Sequence, residues 1–214
     1  MSLIVNGSAI DSRGLEVYSW VDPPGSSGLI IPQVKKGRKQ TKEKVKACMI
    51  HTIFGKIGTV TKLPKSSIQA ERMAIRQASG DREVSWHFTV DRDGTVIQSA
   101  DPALWMCWHA SSANGWSFGI EMVQDENGEL NQACINATAT LVEILCDVLS
   151  IPKIIPVDQN GKILEVYKPK FSGKSGSWSG VLGHRNQTTN RGKGDPGNQI
   201  FEELMKRGFQ GQAA

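Results

Sequence analysis

The sequence of 214 residues contains no apolar run long enough to cross a membrane. A membrane-spanning helix needs about 20 consecutive apolar residues, and polar or charged residues interrupt every apolar stretch of this chain before that length. The start of the chain also lacks the layout of a secretion signal, because it carries Asp11 and its first basic residue is Arg13. We therefore expect no membrane span and a protein that is cytoplasmic as synthesised.

Paired cysteine motifs are absent as well. The four cysteines, Cys48, Cys107, Cys134 and Cys146, form no Cys-x-x-Cys pair, which argues against a zinc ribbon or a redox motif. We expect free, mostly buried thiols in a reducing compartment. Hydrophobic residues make up 39% of the chain and charged residues 21%, which excludes a disordered or fibrous protein, and the length favours one compact domain.

Basic charge is concentrated in one short strip. Residues 35–46 contain seven Lys and Arg residues against one acidic residue, Glu43, although the net charge of the whole chain is only +4. Such a strip can attract nucleic acid or an anionic surface, but no aromatic residue interleaves it to stack on bases. We expect no nucleic-acid partner, and we expect 1–44 to be an N-terminal arm and basic linker packed on a domain that occupies 45–214.

The hydrophobic patterns of this domain predict an α/β fold. Apolar and β-branched runs predict strands, and apolar residues at helical spacing predict helices. The predicted strands lie at 45–52, 84–90, 95–98 and 117–123, and the predicted helices at 66–79, 133–149 and 198–207. This order is typical of a mixed β-sheet of about five to six strands flanked by helices on both faces.

The segment 152–180 is longer than most connections in a compact domain. Its first half contains Asn160-Gly161 between the apolar runs Ile154–Val157 and Ile163–Tyr167, and this pattern predicts a hairpin. We expect a long loop that acts as a substrate-shaping flap, with an insertion of no function as the alternative.

Two of the four histidines follow short apolar runs. His51 closes the predicted strand 45–52, His184 follows Val181-Leu182-Gly183, and Asp195 comes eleven residues after His184. Two histidines and one carboxylate are a zinc ligand set that leaves the fourth tetrahedral position for water. Such a site, at one edge of the sheet, could polarise and hydrolyse an amide. A lone histidine is nevertheless more often structural than a ligand.

Amide hydrolysis also needs a proton acceptor and a cation that stabilises the oxyanion. Glu121 qualifies as the acceptor, because strand alternation places it on the same face as Gly119, away from Phe118 and Ile120. Lys193, two residues before Asp195, can supply the cation.

Six short motifs in a fixed order carry a resemblance to a known family. They are Met49-Ile50-His51-Thr52, 85–96, Trp108-His109-Ala110, Phe118-Gly119-Ile120-Glu121, Gly183-His184 and Lys193-Gly194-Asp195-Pro196-Gly197. Together they resemble the zinc-dependent N-acetylmuramoyl-L-alanine amidases of type 2. This family includes phage lysozyme-amidases, cytosolic anhydro-muropeptide amidases and peptidoglycan recognition proteins. The resemblance covers about 45–130 and 180–210.

The resemblance implies that His51, His184 and Asp195 bind one zinc ion per chain. It further implies that Glu121 and Lys193 are catalytic. Many relatives have cysteine at the third ligand position, and an aspartate there is similar to the cytosolic recycling branch and to several bacterial enzymes.

The resemblance also bears on three other side chains. Trp86 stands where the family often has tyrosine, and because an indole is neither an acid nor a base, we expect it to serve as an apolar wall for the substrate. His109 matches a histidine near the cleft, which implies substrate contact or support of a ligand, with a purely structural role as the alternative. We interpret His87 as structural.

The implied reaction is hydrolysis of the amide between the lactyl group of N-acetylmuramic acid and L-alanine in peptidoglycan or a muropeptide. The alternative is a module of the same fold that binds peptidoglycan without cutting it. Such modules typically lack a zinc ligand, whereas this chain retains all three. We expect a monomer. A phage lysin that acts on the cell wall after release and a bacterial recycling enzyme both remain open.

Overall fold

A computed structural model of the chain describes residues 2–19, 38–54, 73, 84–125, 127–167, 171 and 178–214. The predicted helix 66–79 lies outside these residues except for Met73, which is helical and buried. The strands are β1 Leu3–Val5, β2 Ser8–Ile10, β3 Val17–Ser19, β4 Arg38–Lys39, β5 Ala47–Phe54, β6 Phe88–Val90, β7 Val96–Gln98, β8 Trp105–Met106, β9 Ser117–Gln124, β10 Ile154–Val157, β11 Gly180–Gly183 and β12 Gln210–Ala213. The helices are α1 Gln132–Leu149, α2 His184–Gln187 and α3 Asn198–Lys206.

The main sheet is mixed and contains six strands in the order β11-β5-β9-β6-β7-β3. Strands β11, β5, β9 and β6 run parallel to one another, and β7 returns antiparallel to β6 through a turn that contains Asp93-Gly94. The edge strand β3 runs parallel to β7. The structure therefore confirms the predicted α/β class and the number of strands.

The two faces of this sheet have different cores. Cys48 and Ile50 of β5 pack in a large cluster to which α1 and α3 contribute, whereas Ala47 and Met49 pack in a smaller cluster that includes Trp178. In β9, the residues Phe118, Ile120 and Met122 belong to the large cluster. Strand alternation thus leaves Gly119 and Glu121 on the side opposite α1.

Helix α1 agrees with its prediction to within one residue. The side chain of Asn131 accepts a hydrogen bond from the backbone N–H of Cys134 and caps the first turn, and Ser150 ends the helix in the left-handed region at φ 57°. Its 18 residues are long and apolar enough to cross a bilayer by length and composition alone, but 61% of them are buried inside the protein. An apolar helix that is mostly buried is typical of a hydrophobic core.

The N-terminal hairpin β1–β2 is attached to the sheet by two buried side chains. Gln98 accepts a hydrogen bond from the backbone N–H of Ile4 at 2.9 Å and donates to the carbonyl of the same residue at 2.6 Å. Asp101 accepts from the backbone N–H groups of Asn6 and Gly7 at 3.0 and 2.7 Å. Because β3 then joins the sheet as its edge strand, the described part of 1–19 is built into the fold.

The hairpin predicted at Asn160-Gly161 forms only next to its turn, where the backbone N–H of Asp158 donates to the carbonyl of Lys162 at 2.8 Å and that of Leu164 to the carbonyl of Pro156 at 3.0 Å. Strand β10 exists, but residues 163–167 contribute only a single antiparallel bridge between Val157 and Ile163. Strand β10 pairs instead in parallel with β12, whose Gln-Gly-Gln-Ala sequence lacks any apolar alternation. The side-chain amide of Asn186 donates to the carbonyls of Leu164 and Val166 at 2.9 and 3.3 Å. These carbonyls therefore bond to a side chain and not to a neighbouring strand.

Candidate functional site

Three of the predicted ligands lie together on the side of the sheet opposite α1. The Nδ1 atoms of His51 and His184 are 2.8 Å apart, and Nδ1 of His184 lies 3.4 Å from Oδ2 of Asp195. One donor atom from each residue lies within 4.8 Å of the other two. Two imidazole nitrogens and one carboxylate oxygen are a donor set that zinc prefers, so these residues could hold a metal ion.

The sheet brings the two histidines together. Strand β11 is parallel to β5 with Gly183 paired to Ile50, so the next residues of the two strands, His184 and His51, are neighbours. His51 does not close its strand as expected. It lies in the middle of β5, which continues to Phe54 because β9 pairs with it along its whole length.

Asp195 reaches the cluster through a loop that is fastened at two points. The backbone N–H of Thr52 donates to Oδ1 of Asp195 at 2.9 Å, and the hydroxyl of Thr52 donates to the carbonyl of Gly194 at 2.8 Å. One carboxylate oxygen is therefore held by β5, while the other points toward His184.

Arg185 holds the same loop from behind, and sequence reasoning missed it. Its backbone N–H donates to the carbonyl of Asp195 at 2.9 Å, and its guanidinium donates to the carbonyl of Lys193 and to the side chain of Asn198, each at 2.7 Å. Burial lowers the pKa of Arg185 to about 10, so the guanidinium is still charged at neutral pH. The only sequence signal is a basic residue directly after a candidate ligand.

Glu121 pairs in register with His51 across β5 and β9. Its Oε2 atom is buried and has no hydrogen-bond partner among the described residues. Burial, and secondly the charge of Asp195, raise the pKa of Glu121 to about 8, with Arg191 opposing this shift. A carboxylate with so little solvation is a strong proton acceptor near neutral pH.

The ring of His109 packs over Gly119 and contacts the cluster of candidate ligands. Its Nδ1 atom lies 3.0 Å from Nε2 of His51. A Cβ atom on Gly119 would lie 2.7 Å from the His109 ring, so only glycine leaves room for the ring there. His87 has both ring nitrogens engaged, since Nδ1 accepts from the N–H of Gly119 and Nε2 donates to the carbonyl of Trp105, which supports its structural interpretation.

The cluster opens into a cavity of about 220 Å³. Besides the three ligands, its walls include Glu121, Trp86, His109 and Arg191. The indole N–H of Trp86 donates to the hydroxyl of Thr89 at 2.8 Å, so this donor is directed at the protein. A neighbouring groove of about 360 Å³ shares His109, His184 and Arg191 with the cavity.

The structure does not bring Lys193 into this cavity. The Lys193 side chain is 75% exposed, and its Nζ atom lies 3.3 Å from Oε2 of Glu165 in a separate groove. Arg191 lines the cavity instead, with its Nε atom 3.6 Å from Oδ2 of Asp195. Sequence reasoning did not single out Arg191, although Arg191-Gly192-Lys193 offers two cations close to Asp195.

Comparison with known proteins gives one family and several similar folds. The family model described as N-acetylmuramoyl-L-alanine amidase (Amidase_2) matches residues 41–198. None of the curated proteins compared with the chain matches it.

Among solved structures, the N-acetylmuramoyl-L-alanine amidase LysC from Clostridium intestinale URNW has a TM-score of 0.51 and 15% identity, over 84% of this chain and 95% of that one. The endolysin amidase LysCS from the same organism has a TM-score of 0.48 and 16% identity, over 78% and 86% of the two chains. The Drosophila peptidoglycan recognition protein SA has a TM-score of 0.46 and 13% identity, over 75% and 93%. At this identity the likeness to LysC supports the fold alone.

Proposed function

The chain belongs to the N-acetylmuramoyl-L-alanine amidase family, and on that premise we propose that it is a zinc-dependent enzyme that hydrolyses the amide between N-acetylmuramic acid and L-alanine of peptidoglycan or muropeptides. One observation carries the proposal. The donor atoms of His51, His184 and Asp195 lie within 4.8 Å of one another, in the wall of a cavity that Glu121 also lines.

His51, His184 and Asp195 would hold the zinc ion. When bound there, zinc would act as a Lewis acid toward the scissile carbonyl and would make water a better nucleophile at neutral pH. Burial, and then the charges of His184 and His109, keep the pKa of His51 well below its ordinary value. His51 is therefore neutral at physiological pH, as a metal ligand must be.

Glu121 would move the proton. Its carboxylate would accept a proton from the attacking water and pass it to the leaving nitrogen of L-alanine. Such a transfer requires a group whose pKa lies near the working pH, and the pKa of Glu121 is about 8.

The oxyanion that forms during amide hydrolysis needs a cation nearby. Lys193 is proposed from its motif, but in the structure it pairs with Glu165 outside the cavity. Arg191 already lines the cavity, so the geometry favours Arg191, and Lys193 would have to leave Glu165 to take the role.

The second candidate function is peptidoglycan binding without hydrolysis. Trp86 favours it, because the family often has a tyrosine there and an indole cannot exchange a proton. The complete ligand set and the desolvated Glu121 favour the enzyme.

Release of new amino termini distinguishes the two functions. Purified protein with one equivalent of zinc is incubated with muropeptides, and free L-alanine amino termini are counted. We expect turnover that a strong chelator abolishes and added zinc restores, and that Asp195→Ala lacks. The control is Asp147→Ala, an exposed aspartate of α1, which should retain turnover. Binding of the muropeptide with no release of amino termini would identify a binding module.

The same assay addresses the substrate and the place of action. We propose peptidoglycan as the substrate, and mass spectrometry of products from whole sacculi and from soluble muropeptides separates a lysin from a recycling enzyme. Faster release from sacculi supports a lysin that acts on the cell wall, and activity confined to soluble fragments supports recycling.

A further inference from the structure

We propose that His109 is a positioning residue that fixes the tautomer of His51, so that Nδ1 of His51 is the atom presented to the metal. The inference rests on the proposed function in one respect, since it assigns a role at the proposed zinc site. Of the two functional roles that the resemblance implies for His109, it favours support of a ligand over substrate contact.

The carbonyl of Ser117 can only accept a hydrogen bond. Nε2 of His109 lies 3.5 Å from that oxygen, a long contact in which the nitrogen can only be the donor, so we assign the proton to Nε2. A neutral imidazole has one N–H, which leaves a lone pair on Nδ1 of His109. That atom lies 3.0 Å from Nε2 of His51, and Nε2 of His51 must therefore be the donor.

The position of this proton determines the state of Nδ1, the other nitrogen of His51. With its one proton on Nε2, His51 has a lone pair on Nδ1. It is this Nδ1 atom that faces Nδ1 of His184 at 2.8 Å and takes part in the group with Asp195. The chain Ser117–His109–His51 thus directs a lone pair into the ligand cluster, as partners of metal-binding histidines commonly do.

The surroundings leave the chain of hydrogen bonds little freedom. His51 is 2% exposed and His109 is 9% exposed, so water has little access to either ring. The His109 ring fits only because Gly119 has no side chain. The backbone of Gly119 does not adopt the left-handed region, so the glycine is required for space and not for conformation.

Two nearly isosteric substitutions separate the hydrogen bond from the packing. In His109→Asn the side-chain oxygen can take the place of Nδ1 and accept from His51, whereas His109→Leu fills a similar volume without an acceptor. Zinc affinity is measured by competition with a chromogenic chelator. We expect His109→Leu to weaken zinc binding about 10- to 100-fold and His109→Asn to stay within about threefold of the wild type.

A second measurement needs no metal. Nitrogen-15 NMR of the imidazoles in the zinc-free wild type should show His51 protonated on Nε2 and bare on Nδ1, with this preference lost in His109→Leu and retained in His109→Asn. A proton on Nδ1 of His51 in the wild type overturns the inference. Wild-type zinc affinity in His109→Leu, or equal losses in the Leu and Asn variants, also overturns it. Failure of the wild type to bind zinc at all would refute the proposed function instead, and the NMR result would still decide the tautomer.

Discussion

At the scale of single residues, the half-buried side chain of Glu121 places one fully buried carboxylate oxygen in the wall of the cavity. Oε2 of Glu121 has no hydrogen-bond partner among the described residues, and Asp195 adds a negative charge to the same cavity. Both features oppose ionisation of Glu121, so the ionised carboxylate destabilises the folded protein. Such a cost at a cavity wall is typical of groups that are retained for catalysis.

Replacing Glu121 by glutamine should therefore reduce activity and increase stability. Turnover on muropeptides should fall by about 10²-fold or more. The pKa of Glu121 is about 8 in the folded protein and has an ordinary value of 4.5, so the unfolded chain binds fewer protons between these values. The stability of the zinc-free wild type should decrease as the pH rises through this window, and Glu121→Gln should lack that decrease.

The measurement is the melting temperature of both zinc-free proteins from about pH 4 to about pH 8.5, an interval that spans the two pKa values. Glu121→Gln should melt higher than the wild type at the upper end and at a similar temperature at the lower end. The control is Glu202→Gln, since Glu202 is exposed and should leave the pH dependence unchanged. Identical pH profiles for Glu121→Gln and the wild type would contradict a raised pKa at this carboxylate.

At the scale of elements, the loop that follows α2 presents two cations to different sides. Arg185 fastens the loop from the protein interior, Arg191 faces the cavity and Lys193 faces Glu165. The loop conformation, and not the motif spacing, decides which cation meets a substrate carbonyl.

We expect Arg191→Ala to lower turnover on muropeptides by about 10²-fold and Lys193→Ala by less than about 10-fold. Arg191→Lys should recover part of the loss, because it restores a charge without the guanidinium geometry. Zinc affinity is measured in parallel to confirm that the metal remains bound. A large loss in Lys193→Ala with normal turnover in Arg191→Ala would assign the role to the motif residue and require the loop to rearrange.

Elements with strong hydrophobic patterns were predictable, and short polar ones were not. The alternation in β5 and β9 correctly placed Met49 with His51, and Gly119 with Glu121, on one face. Strand β12 could not be predicted because its four residues, Gln-Gly-Gln-Ala, are exposed and show no hydrophobic alternation. The hairpin at Asn160-Gly161 does not extend beyond its turn for a related reason. The Asn-Gly turn is a local signal, whereas the partner of β10 comes from the distant C-terminal residues.

The site itself was predictable only in part. Periodicity singled out His51 and Glu121, but the approach of His184 and Asp195 depends on the parallel pairing of β11 with β5, which no local pattern contains. Their residue types suggested a zinc ligand set with His51, and the resemblance to a family strengthened that grouping. The contributions of Arg185 and Arg191 depend on side-chain directions in a loop, and neither the periodicity nor the motifs indicated them.

At the scale of the whole molecule, the two faces of the main sheet carry different groups of residues. The large hydrophobic cluster lies on the side of α1 and α3, while the polar cluster lies on the opposite side. The family match begins at residue 41, yet β3 from the preceding segment forms an edge of the main sheet. Strand β3 therefore extends the sheet at the edge farthest from β11 and the proposed metal ligands.

The location of zinc in the protein tests the central claim most directly. Crystals of the zinc-loaded protein are measured on both sides of the zinc absorption edge. We expect one anomalous peak per chain at Nδ1 of His51, Nδ1 of His184 and the carboxylate of Asp195, with zinc–nitrogen distances of about 2.0–2.1 Å. A zinc-loaded crystal with no peak there, or with the peak elsewhere and these three side chains free of metal, would contradict the account.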